Sequence, residues 1–240
     1  MKRQVFAFSG IVQAAGERAS SFDLVRHALS LSDRPRSGSV CYLPTGVGDS
    51  ELAVRTTRDR FAAQLPEVSF SALTLFPRPS VSDVREHLLA QDMLLVEGGS
   101  VVNLMALWRA HVLPEVLREC WDTGVVLAGP SAGSICWHLG GPTDSFRDEL
   151  DPFTQGLGLL PYSNGVHDDF TEQPRRAAYR RMVQTGQLPA GYATEDGVGL
   201  HYVDQTLHEA VTLRPGSHAW WVEAAGDGGV AESAVPARLL

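Results

Sequence analysis

At 240 residues the chain can build one large core, and its 44% hydrophobic and 20% charged content is that of an ordinary soluble globular protein. A formal net charge of −8 argues against a nucleic-acid groove. No apolar run approaches the roughly 20 residues that a membrane span needs. The three cysteines, Cys41, Cys120 and Cys136, have no CxxC spacing and sit in apolar contexts, so reduced buried thiols in the cytoplasm are expected, with no disulfide and no metal site. The start MKRQVFAFSGIVQAAG imitates a secretion signal, but Gln4, Ser9 and Gln13 interrupt it; it reads better as a strand running into a glycine turn.

In chain order, QVFAFSG (residues 4–10) predicts a strand and SFDLVRHALSL (21–31) a helix started by Ser21. SVCYLPTG (39–46) is the next strand, ELAVRTTRDRFAAQL (51–65) an amphipathic helix, and VSFSALTLF (68–76) a third strand. SVSDVREHLLAQ (80–91) predicts a helix, DMLLVEGGS (92–100) a buried strand ending in two glycines, and residues 101–124 helix broken at Pro114. GVVLAGPSAG (124–133) is the fifth strand, with a helix behind it. GLGLL (156–160) is strand-like, and PRRAAYRRM (174–182), short and mixed with alanines, reads as a helix with one basic face. VGLHYVD, TLHEAVTL and HAWWVEA, from residue 198 onward, are short antiparallel strands expected at one edge. Strands alternating with helices of this length imply βαβ units and an α/β fold: a mostly parallel sheet with helices on both faces, in one domain spanning residues 1–240.

Ligands in such sheets bind at the carboxyl ends of the strands. There, Gly129-Pro130-Ser131-Ala132-Gly133 fits a nucleophile elbow, in which small residues let the backbone turn tightly and lift the serine Oγ above the sheet. The turn aims the Ala132 N–H at any oxyanion formed beside that oxygen; the alternative is a helix N-cap serine. Of eight histidines, His138 lies too far along the same helix to serve Ser131, and His27, His87 and His111 sit in helical patterns. His201, His208 and His218 fall in the late strands. His167 stands in the loop SNGVHDDF, where functional groups concentrate. An orienting carboxylate could come from Glu195 or Asp196 in the turn ATEDGVGL, or from Asp144 after the elbow helix; spacing does not choose among them.

The segments LLVEGGSVVNLMALW, GVVLAGPSAGSICW, GLGLLPYSNGVHDDF and ATEDGVGL resemble, collinearly to about Leu200, the dipeptidase E (aspartyl dipeptidase) and cyanophycinase family of serine peptidases. The resemblance implies a flavodoxin-like sheet arranged as in class I glutamine amidotransferases. It makes Ser131 the nucleophile, His167 the base and Glu195 the third member, with Asp144 as rival. It places the oxyanion hole at the amides of Gly99 and Ala132. The family holds a substrate carboxylate with an arginine beyond the histidine; Arg176 matches best, with Arg175, Arg180 and Arg181 as alternatives. The chain departs from the family in having Gly-Gly-Ser for Gly-Gly-Asn, and Tyr179 where a second arginine is usual. These changes bear on substrate handling more than on acyl chemistry. The expected activity is hydrolysis of dipeptides or short peptides with N-terminal aspartate, without a cofactor. A cyanophycinase-like hydrolase of β-aspartyl-arginine units, or a catalytically silent binding relative, is the alternative. The only partner implied is a small acidic peptide; a homodimer is admitted but not required.

Overall fold

The computed structural model describes residues 1–10, 21–34, 38–226 and 228–240. The IVQAAG portion of the expected glycine turn lies outside the described residues. The chain runs β1 (Gln4–Phe8), α1 (Phe22–Ser30), β2 (Ser39–Leu43), α2 (Glu51–Gln64), β3 (Ser69–Ala72), α3 (Val84–Leu89), β4 (Met93–Val96), α4 (Val101–Ala110), α5 (Leu113–Asp122), β5 (Val126–Pro130) and α6 (Ala132–Ile135). A 3-10 turn, Thr45–Val47, follows β2. After α6 come β6 (Gly141–Thr143), β7 (Asp151–Phe153), β8 (Ser163–Val166), α7 (Arg175–Gln184), β9 (Gly191–Thr194), β10 (Val198–Val203), β11 (Thr206–Thr212), β12 (Ala219–Ala224), β13 (Val230–Val235) and β14 (Ala237–Leu239).

The expected α/β architecture is present. The main sheet has the order β14-β11-β10-β1-β5-β4-β2-β3, parallel from β1 to β3. Its inner strands are buried on both sides and therefore read as unbroken apolar runs rather than alternating ones. Along β1, Val5 and Ala7 join one core with Trp108, Trp121 and Trp137 from the α4–α6 side. Phe6 and Phe8 join the other core with Phe22, Leu24 and Phe61 from α1 and α2. The two-residue period of the strands thus divides the apolar side chains between two helical layers.

Two sequence expectations need correction beyond β5. GLGLL is not a strand; the strand is the next segment, β8, whose backbone pairs in parallel with β9. The late strands also do not all add to one edge. β10 extends the main sheet antiparallel to β1, and β11 pairs antiparallel with β10, whereas β12 belongs to a second sheet of order β13-β12-β9-β8. That sheet carries α7 on Ala178, Tyr179, Met182 and Val183, packed on Ala193 and Val222. The helix behind the elbow is also shorter than expected, ending at Ile135. Among the described residues, no helix is long and apolar enough to cross a membrane.

Candidate active site

Ser131 stands between the end of β5 and α6 with φ 53° and ψ −115°. A non-glycine residue in that sparsely populated region stores roughly 1–3 kcal/mol of strain and persists only where its surroundings over-determine it. Here the Ser131 N–H donates to Phe8 O at 3.0 Å, and Ser131 O accepts from Ser134 N and Ile135 N. The flanking glycines are required by close approach: a Cβ on Gly129 or Gly133 would come 2.6 Å or 2.3 Å from Val96 O at the end of β4. The elbow read from the sequence is therefore a strained, tightly packed turn rather than an ordinary N-cap; Ser131 makes no capping hydrogen bond with its side chain.

The strand end after β4 lies against it. A Cβ on Gly98 would come 3.4 Å from Ser131 Cβ, and one on Gly46 would come 2.2 Å from the Gly98 carbonyl oxygen, so that carbonyl backs onto Gly46. In a trans peptide the following N–H points the opposite way, so the Gly99 amide faces away from Gly46. Gly99 has φ 99°, which suits glycine alone. Among the described residues, no backbone or side-chain acceptor takes the N–H of Gly99 or of Ala132. Gly99, Ser131 and His167 line one cleft of about 480 Å³.

His167 follows β8 with φ 58°. Its backbone N–H donates to Ser9 Oγ at 3.0 Å, and Ser9 Oγ in turn donates to Thr194 O at 2.8 Å. Ser9, buried at the end of β1, thus ties the main sheet to the second sheet directly beneath the histidine. Sequence reasoning missed it; the only signal was a polar residue closing an apolar strand.

The carboxylate on the histidine is Asp196: His167 Nδ1 lies 2.5 Å from Asp196 Oδ1, with the two side chains 10% and 8% exposed. Nδ1–H donating to that carboxylate leaves Nε2 for the cleft. Glu195 is directed elsewhere, accepting from His218 N at 2.8 Å and Trp220 Nε1 at 3.3 Å. The carboxylate on the imidazole is thus one residue past the expected Glu195, in the turn that follows β9.

The arginine expectation is corrected in the same way. Arg176 turns from the cleft to Asp168 at 2.7 Å and Glu232 at 3.0 Å, with its guanidinium over the Trp220 ring. Arg180 makes the same two partners, and Arg181 is exposed. The arginine in the cleft is Arg175, only 11% exposed and 2.8 Å from Asp144. Burial holds its guanidinium below the ordinary value, although Asp144 opposes this. Asp144, the rival triad acid, thus pairs with Arg175 in the cleft. Neighbouring residues on a helix differ by about 100° in direction, so a one-residue choice in PRRAAYRRM decides which guanidinium enters the site.

A strained serine, a histidine buttressed by a carboxylate and the Gly99 amide share one cleft, with the Ala132 amide next to the serine in the chain; these are the parts of an acyl-transfer site. The family model described as Peptidase family S51 matches residues 11–210. The chain belongs to this family. This S51 peptidase is 38% identical over 213 residues to "Uncharacterized peptidase YgaJ" of Bacillus subtilis (strain 168), covering 88% of this chain and 87% of that one. It is similar in fold to a solved peptidase from an acI-B1 Actinobacterium, with TM-score 0.69, 15% identity and coverage of 99% and 95% of the two chains. It is likewise similar to a peptidase E candidate of Listeria monocytogenes EGD-e, with TM-score 0.63, 16% identity and coverage of 89% and 100%. Membership of S51 makes the protein a serine peptidase.

Proposed function

We propose that this S51 peptidase releases N-terminal aspartate from dipeptides or short peptides, in the cytoplasm. The observation that carries the reading is the company Ser131 and His167 keep: one guanidinium, Arg175, and two carboxylates, Asp144 and Glu172, in the same cleft, with Asp144 directly beside Arg175. A substrate with an N-terminal aspartate brings the complementary pair, a side-chain carboxylate for the Arg175 fork and an α-ammonium for Asp144. Three buried, free thiols support a reducing compartment.

In this reading Ser131 Oγ attacks the carbonyl after the first residue while His167 Nε2 takes its proton. Asp196 stabilises the imidazolium through Nδ1–H, and the amides of Gly99 and Ala132 hold the oxyanion. His167 then protonates the leaving amine, and water, deprotonated by the same nitrogen, releases aspartate from the acyl-enzyme.

Hydrolysis of Asp-Leu tests it. Ser131→Ala is expected to abolish turnover, and undiminished hydrolysis by that variant would end the hypothesis. Arg175→Met should lower kcat/KM for Asp-Leu by roughly 10–100-fold, the worth of one charge-assisted hydrogen bond, and far less for Ala-Leu. Faster cleavage of β-Asp-Arg than of Asp-Leu would instead favour the β-aspartyl reading.

A further inference from the structure

A carboxylate outside the proposed triad is wired to the strand end that carries the Gly99 amide. Glu97 directly follows β4. Its Oε1 accepts from the Gly98 N–H at 2.9 Å, and its Oε2 accepts from the Tyr42 hydroxyl at 2.5 Å. Tyr42 is fully buried at the end of β2, and burial followed by the Glu97 charge pushes its phenol up, so it stays a donor. The carboxylate thus joins a fixed core hydroxyl to the peptide immediately before the Gly98–Gly99 peptide. Two consecutive glycines have little steric preference of their own. Rotation of the Gly98–Gly99 plane would swing the Gly98 carbonyl into the cleft and withdraw the Gly99 N–H.

We propose that Glu97, held by Tyr42, is a positioning residue that keeps the Gly99 amide directed at the oxyanion. The proposal rests on the reading that Ser131 attacks an acyl carbon and that Gly99 receives the resulting charge. Glu97 does not touch substrate; it acts through the backbone.

The test compares Glu97→Ala, Glu97→Gln and Tyr42→Phe with the wild type on Asp-Leu, and measures binding of two ligands. One is the α-aminoboronic acid analogue of aspartate, whose boron bonds Ser131 Oγ and places a tetrahedral oxygen in the hole. The other is free aspartate, which makes no such oxygen. Glu97→Ala is expected to lower kcat by about 10–100-fold with KM little changed, somewhat less than deletion of a hole donor. Boronate affinity should fall in parallel while aspartate affinity holds. Glu97→Gln keeps an acceptor for Gly98 N–H and should recover most of the loss. Tyr42→Phe, which preserves the buried ring, should show a smaller loss of the same kind. Wild-type kcat and boronate affinity in both Glu97→Ala and Tyr42→Phe would overturn the proposal, as would equal losses for boronate and aspartate. A folded wild type that neither hydrolyses Asp-Leu nor binds the boronate would overturn the functional reading, and this inference with it.

Discussion

Asp196 and Glu195 are neighbours in one turn, yet one carboxylate meets a buried histidine and the other a backbone amide and an indole at the start of β12. The two therefore predict different phenotypes. Asp196→Asn removes the charge that steadies the imidazolium and favours the wrong tautomer; kcat is expected to fall by about 10³–10⁴ with the fold intact. Glu195→Gln should leave kcat within a few-fold and lower thermal stability instead. Steady-state kinetics with circular dichroism on both variants decides, and a larger kcat loss at Glu195 would refute the assignment. That Ser131 and His167 would share one cleft was legible because a glycine-flanked strand end and a loop histidine carry local signals. The acid beside His167 and the arginine in the cleft each lie one position from the residue expected. Composition and spacing contain no information on which of two adjacent side chains a turn or helix directs inward.

At the scale of elements, α7 and β13 are joined by a charge cluster. Asp168, 1% exposed, is gripped by Arg176 and Arg180, which both reach Glu232 on β13. Although burial raises the Glu232 carboxyl, the two guanidiniums draw it below its usual range. Because Asp168 is buried, Asp168→Asn leaves the buried Arg180 guanidinium with only the partly exposed Glu232 to balance it. A loss of about 3–5 kcal/mol is expected in urea denaturation. Glu232→Gln, at a one-third-exposed side chain, should cost under about 1 kcal/mol. Equal effects would show that the cluster is not organised around Asp168. None of this was readable from the sequence, since Asp168 and Glu232 lie far apart in the chain and β13 is a largely exposed strand without an apolar stripe.

For the whole molecule, the parallel half of the main sheet could be read because its buried strands are apolar runs between helical periods. The second sheet could not, because short strands such as β8 and β9 are polar or glycine-containing and acquire their pairing only from long-range contacts. The fold also holds two buried neutral histidines. His138, with Nδ1 on Ser134 O at 2.9 Å and Nε2 near the Tyr202 hydroxyl, is depressed by burial to about 4 from 6.5. His201 is depressed to about 4 by burial and then by His208. Both folded values lie below the unfolded one, so the unfolded chain binds more protons between them. Stability is therefore expected to be fully present above pH 6.5 and to fall as the pH drops toward 4. Urea midpoints measured across that interval check this; a flat profile would contradict it.

The position of β1 has a consequence for the nascent chain. β1 precedes the other described strands in the chain, yet it lies between β5 and β10, so its second neighbour arrives only with residues 198–203. Asp196 lies just ahead of that late neighbour and His167 some 31 residues before Val198, both well after Gly99 and Ser131. An unfinished chain can thus carry its elbow serine without the imidazole and carboxylate proposed to activate it. On the proposed mechanism, the serine would gain its base and its acid only once the chain has been made as far as Asp196, shortly before β10 can pair with β1.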